Sequence, residues 1–220
     1  MSASPVPDIT AVRQFTRDRL IPALAHRDYR VMWFGHVAGE SSSWALGAAE
    51  GWLVFSLAEG NPSSWVGAVF LAAMLPWFVV PVIGGFLTDR FARRDILALA
   101  YAVSLLHGLA LTVLVFTGAI QIWHVLLLAF INGGARAVHM GATESLAANL
   151  VPGKDLSNAY VLIAAGYYAT RLIGPGVIAP VMEVVDLTWI FFTCVGFYGV
   201  GLLLVLQIRT VSTGVVEPGR

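Results

Sequence analysis

Charge is scarce in this 220-residue chain: Asp, Glu, Lys and Arg make up 12% of it, about half the fraction of an ordinary soluble domain. Hydrophobic residues account for 58% and the mean hydropathy is +0.78, which excludes a conventional water-soluble globule. The one cysteine, Cys194, sits inside an apolar run, so a disulfide framework or a cysteine metal cluster has no material, and the thiol reads as packing. Hydrolytic motifs are missing too. There is no Ser-His or paired-Asp arrangement and no His-Glu-x-x-His, and the serines of Gly39-Glu-Ser-Ser-Ser-Trp44 lack nucleophile-elbow spacing. No glycine-rich phosphate loop appears, which argues against direct use of ATP. Neither an enzymatic site nor a cofactor or resident metal is expected, and no nucleic-acid partner.

What the chain has instead is long apolar runs. A hydrocarbon core about 30 Å thick takes roughly 20 residues of helix at about 1.5 Å per residue. Six runs meet that length, at 31–57, 64–87, 96–118, 122–147, 156–182 and 187–208. Turns separate them at Gly60-Asn61-Pro62, Arg93-Arg94-Asp95, Gly118, Pro152-Gly153 and Asp186. The fold expected is all-α, a polytopic six-helix membrane bundle over 31–208. It is flanked by a cytoplasmic amino-terminal segment, 1–30, and a cytoplasmic tail, 209–220.

Orientation follows from the cations, because short positively charged loops stay on the cytoplasmic side. Arg13, Arg17, Arg19, Arg27 and Arg30 precede the first run; Arg90, Arg93 and Arg94 follow the second; Lys154 follows the fourth; Arg209 and Arg220 follow the sixth. The loops on the other side, around Glu59, 118–121 and Glu183 to Asp186, carry no Lys or Arg. Both ends are therefore expected inside, in a cell inner membrane. Residues 1–30 lack the apolar stretch of a cleavable signal. In that segment Ile9, Val12, Phe15, Leu20, Ile21 and Leu24 alternate with charge, which suits either a helix lying on the inner surface or a solvated tail.

Charges at bilayer depth cost about 2.5–3.5 kcal/mol each on insertion scales and usually face the bundle interior. Here they are Glu40, Glu50, Glu144, Arg136 and Arg171, with His36, His107 and His139 read as packing or cavity-lining residues. The first run places His36, Glu40, Ser43, Gly47 and Glu50 on one helix face; the fourth does the same with Asn132, Arg136, His139 and Thr143. Two polar stripes on apolar helices imply a wet central cavity. By helix rise Glu40 and Arg136 lie level, roughly 14 and 16 Å from the inner ends of their runs, so an ion pair is feasible. Arg171 lies roughly 22 Å up the fifth run, level with Asn132, with Glu50 the nearest carboxylate above it. It is a handle for an anionic group, or is satisfied by Glu50 and backbone carbonyls. Carboxylates outnumber cations by one in this set, which nominates Glu40 for proton coupling against a purely structural ion pair. Glu144, near the inner end, is assigned to the charge network around Arg93. Pro76 and Pro81, and Gly174-Pro175-Gly176 with Pro180, are expected hinges, and Gly133, Gly134 and Gly141 are expected close-packing points.

One decapeptide carries more. Gly85, Asp89, Arg90, Arg93 and Arg94 stand at the spacing Gly-x-x-x-Asp-Arg-x-x-Arg-Arg, which resembles the signature between helices two and three of the major facilitator superfamily. Ala92 stands where the family usually has Gly. The resemblance implies a tight cytoplasmic turn whose acid and bases latch helix ends as the transporter alternates between inward-open and outward-open states. His26-Arg27-Asp28-Tyr29-Arg30 before the first run, and Leu150-Val151-Pro152 through Asn158-Ala159 after the fourth, resemble the drug and siderophore exporter branch. Arg171-Leu-Ile-Gly174-Pro175-Gly176 is similar to the Gly-Pro motif of proton antiporters, although Ile178-Ala179 replace the paired glycines that usually follow. The resemblance implies proton-coupled export of small organic molecules. Transporters of this superfamily pair two six-helix halves. This chain resembles the amino-terminal half and is expected to be truncated, to work as a homodimer or with a separate carboxy-terminal half, or to serve as a non-transporting assembly subunit.

Overall fold

The computed structural model describes residues 21–80, 91–181 and 183–210. Regular structure among them is helical, with no strand: α1 (Arg27–Leu57), α2 (Pro62–Met74), α3 (Arg93–Phe116), α4 (Ile122–Leu150), α5 (Leu156–Val181) and α6 (Leu187–Leu206). Short 3-10 turns occupy Pro22–Ala25, Leu75–Phe78 and Gly153–Asp155. A helix satisfies every interior backbone group within one segment, which is what a chain this apolar needs inside a bilayer.

Among the described residues four helices are long and apolar enough to cross a membrane: Arg93–Phe116, Ile122–Leu150, Gly153–Val181 and Leu187–Leu206. The other two expected spans differ for identifiable reasons. With 31 residues α1 has ample length, but its buried His, Ser and Glu side chains dilute its hydropathy. The second is shorter, Pro62–Phe78, and the remainder of the expected run, 81–87, lies outside the described residues. Its α-helical part stops at Met74 because Pro76 has no N–H to donate and its ring crowds the preceding turn; the backbone tightens into a 3-10 turn closed by Val79 N donating to the Pro76 carbonyl at 3.1 Å.

The helix that carries the first apolar run starts four residues before the run itself. Helix α1 begins at Arg27, since Asp28 in its first turn complements the positive end of the helix dipole. A single 3-10 turn precedes it, and the surface helix suggested for residues 9–24 falls mostly outside the described residues. Elsewhere the turn residues act as read: Gly60 and Gly118 adopt φ of +85° and +67°, a left-handed backbone that glycine permits. Asp186 caps α6, accepting from Thr188 N at 2.8 Å.

Helix α1 is the centre of the bundle, packed mainly on α6 and α5; α3 bridges α6 and α4, and α2 lies on α4. Two close approaches fix this arrangement. A Cβ at Gly133 would collide with the Ala73 carbonyl, so α4 and α2 touch backbone to backbone. The buried Tyr101 ring of α3 lies against Gly39 of α1 and Gly201 of α6, where a Cβ on either would come within 2.5 Å of Tyr101 Cε1. Of the other expected packing glycines, Gly134 makes ordinary contact with Pro76, whereas a Cβ at Gly141 would meet nothing within 4 Å. Helix α5 runs unbroken through Pro175 and Pro180. Large apolar side chains such as Phe78, Phe116 and Leu172 are exposed, as a lipid-facing surface requires.

Candidate functional site

The polar stripes of α1 and α4 face each other. Glu40 Oε2 lies 3.6 Å from Arg136 Nη2, and Glu40 Oε1 lies 3.7 Å from His139 Nδ1. Their common interior buries Glu40, His36, His139 and Thr143 almost completely. The His36 and His139 rings are parallel, with centroids 5.6 Å apart. A second pair stands further along α1, where His107 Nε2 of α3 is 3.0 Å from Glu50 Oε1, within ion-pair reach but off the line of a hydrogen bond. Glu50 thus meets an imidazole, not Arg171.

Arg171 is exposed, and among the described residues no carboxylate lies within ion-pair distance of it. Its guanidinium sits 5.1 Å from the centroid of the Trp44 ring, and that of Arg136 sits 5.2 Å from the same centroid. Cation–π attraction favours both arrangements, by about 0.5–1 kcal/mol at an exposed site such as that of Arg171 and by more where the guanidinium is shielded from water, as that of Arg136 is. Tyr167 meets the Trp44 ring at an interplanar angle of 70°. Asn132 does not reach Arg171; its Oδ1 accepts from Ser104 Oγ at 2.8 Å, joining α4 to α3.

Between these groups lies a cavity of about 280 Å³, lined by Trp44, Glu50, Phe70, Met74, Asn132, Arg136 and Pro175 among others. Its walls are mostly apolar, with a few polar groups converging on one side, the usual make-up of a small-molecule pocket. Pro175 reaches it because α5 presses on α1: a Cβ at Gly174 would stand 3.1 Å from Trp44 Cβ.

At the end of the bundle where α3 begins, Gly85, Asp89 and Arg90 lie outside the described residues, while Arg93 and Arg94 open α3. Arg93 Nη1 donates to the Ser145 carbonyl of α4 at 2.9 Å; Arg94 Nη1 donates to the Ile208 carbonyl beyond α6 at 3.0 Å and pairs with Asp95 at 3.2 Å. Arg93 therefore meets backbone beside Glu144, and the Glu144 carbonyl accepts from the Tyr160 hydroxyl at 3.4 Å. The Arg-Asp-Tyr step stitches the same end together. Asp28 Oδ2 accepts from Arg209 N, Thr210 N and Thr210 Oγ1 at 3.1, 3.0 and 2.8 Å, and the Tyr29 hydroxyl donates to the Ala159 carbonyl at 2.7 Å. Sequence reasoning missed Trp44 and the partner of Glu50. Trp44 lies four residues beyond Glu40, a spacing that could have placed it beside the stripe, whereas nothing in the sequence links His107 to Glu50.

Apolar helices that turn acids and bases inward, onto a mostly apolar cavity, define a multi-pass membrane bundle. Residues 20–214 match the model of the transmembrane secretion effector family, and the chain belongs to that family of the major facilitator superfamily. Two curated relatives, both macrolide efflux protein A of Streptococcus pyogenes, one from serotype M6, are 28% identical over 140 residues, 63% of this chain and 33% of theirs. The chain thus spans about a third of the length of the curated relatives it matches.

Proposed function

We propose that the chain is a six-span helical body of a secondary exporter that moves small organic molecules, drugs or siderophores in character, outward across a cell inner membrane in exchange for protons, with both termini cytoplasmic. The observation that carries this reading is the cavity beside α1, where an apolar and aromatic lining meets Glu50, Asn132 and Arg136 inside the bundle. Family membership and the macrolide efflux relatives support export; the 11 Lys and Arg that flank the runs, of 13 in all, support the orientation.

Of the two buried carboxylates, Glu40 is committed to Arg136 and His139, whereas Glu50 lines the cavity with an imidazole as its partner. A carboxylate and an imidazole pass one proton between them, so Glu50 and His107 form the coupling pair, and Glu40 with Arg136 holds α1 to α4. Arg136 and Trp44 supply a cationic, aromatic wall, and Arg171, set against the same Trp44 ring, extends it. Gly85, Asp89, Arg90, Arg93 and Arg94 act as the cytoplasmic latch, and Gly174, Pro175 and Gly176 as the bend that lets α5 move. An exposed guanidinium at bilayer depth needs water or protein over it. A second six-helix body, another copy or a separate carboxy-terminal half, completes the cavity on that side.

The test is accumulation of radiolabelled macrolide and of ethidium in efflux-deficient cells producing the chain, alone and with a carboxy-terminal half. Lower accumulation than in vector controls, restored to the control level by Glu50→Gln, is the expected result. Accumulation equal to controls under every condition contradicts it.

A further inference from the structure

The polar atoms left over in the α1–α4 interior are more than the Glu40–Arg136 pair explains. His36 is 1% exposed and makes no well-formed hydrogen bond, its ring lying only loosely against the Ile163 backbone; His139 Nε2, Thr143 Oγ1 and the Tyr101 hydroxyl also lack a partner among the described residues. An unsatisfied buried group is costly and native interiors hold few of them, so a group of this size calls for a ligand that satisfies several at once.

The geometry points to a binding site for a divalent first-row transition metal, Zn²⁺ fitting best, held by His36, Glu40 and His139. One donor atom from each lies within 4.8 Å of the others. His36 and Glu40 are one helical turn apart on α1, so both project to the same face, and α4 brings His139 to that face. Two imidazoles and a carboxylate are a donor set of intermediate softness that suits Zn²⁺, with a fourth position open. Around an ion bonded at roughly 2.0–2.2 Å the donors stand roughly 3.3–3.5 Å apart, so side-chain rotation of about an ångström closes the site. Glu40 can serve it without giving up Arg136. Its Oε1 faces His139 and its Oε2 faces the guanidinium, which then acts as the outer partner that orients a ligating carboxylate. Hydroxide or a small anion in the open position offsets the ion's remaining charge, which a low-dielectric interior would otherwise penalise.

The site has a structural consequence. Helix α1 packs chiefly on α5 and α6, and α4 chiefly on α3 and α2, so α1 and α4 touch over a small area. A metal bridging His36 and Glu40 to His139 would pin these two helices together beside the cavity.

The experiment uses the full chain in nanodiscs, freed of affinity tag and stripped with chelator, titrated with Zn²⁺ by calorimetry and with Co²⁺ by visible absorption. The wild type is expected to bind one ion per chain, and X-ray absorption of the zinc-loaded protein to report two imidazoles and one carboxylate. His36→Gln and His139→Gln should each weaken binding by at least about a hundredfold, the upper end of what outer partners alone cost. His124→Gln, at the far end of α4, should leave binding unchanged. Absence of a stoichiometric ion, uptake that survives both histidine substitutions, or fewer than two imidazoles at the wild-type metal would each overturn the assignment. The wild-type spectrum decides the matter even where a variant does not fold.

Discussion

The residues that matter most are charged or titratable side chains where charge is costly, and their pairing sets what each substitution does. Removing one member of a buried pair strands the other: Glu40→Ala leaves Arg136 unmatched and should destabilise the protein by about 3–5 kcal/mol. Replacing both, Glu40→Leu with Arg136→Leu, should recover more than half of that loss, as read by thermal unfolding in detergent. Equal losses in the single and double variants would mean that the pair is not what matters there. Helix rise along two stripes made the meeting of Glu40 with Arg136 legible in the sequence, because both residues could be given a depth. The Glu50–His107 contact and the two guanidiniums about Trp44 were not legible, since each depends on how helices rotate against neighbours distant in the chain.

At the level of elements, hydropathy locates α3 to α6 with ends within three residues of those expected, because in a bilayer the length of an apolar run is itself the helix length. It does less well where other forces set the boundary. Arg27 and Asp28 read as loop charges, yet they form the first turn of a helix that projects beyond the apolar zone, and Pro76 ends the α-helical part of α2 inside an apolar run. Close approach of elements is open to direct test. Gly133→Leu places a side chain against the Ala73 carbonyl and should cost about 1–3 kcal/mol by prising α2 from α4, lowering the unfolding temperature, whereas Gly141→Leu, in open space, should leave it unchanged. The cap of α6 gives a pH signature. Hydrogen bonds from the Thr188 hydroxyl and amide hold the Asp186 carboxyl below its ordinary value, so the cap is in place above the unfolded value and is lost as pH falls through the folded one. Hydrogen exchange in the first turn of α6 should therefore rise below about pH 4, and Asp186→Asn should flatten that rise.

For the whole molecule, a chain with no net charge, exposed apolar flanks and buried acids and bases divides its surface between lipid and an aqueous or protein-covered cavity. Sequence alone marked the interior in outline, through the stripes on α1 and α4, but not which faces of the other helices turn away from it. The sequence nominates Glu40 for coupling, whereas the function proposed above gives that role to Glu50, because the choice turns on partners, and partners are a property of the folded bundle. The central claim is that substrate leaves through this cavity as protons enter by way of Glu50 and His107. It is tested most directly by reconstituting the chain, with a carboxy-terminal half where one is needed, into vesicles loaded with pyranine and adding a substrate identified in the cellular accumulation assay. The expected result is a substrate-dependent pH change inside the vesicles that is lost in Glu50→Gln and His107→Ala. Substrate movement with no accompanying proton flux, or proton flux untouched by either substitution, would contradict it.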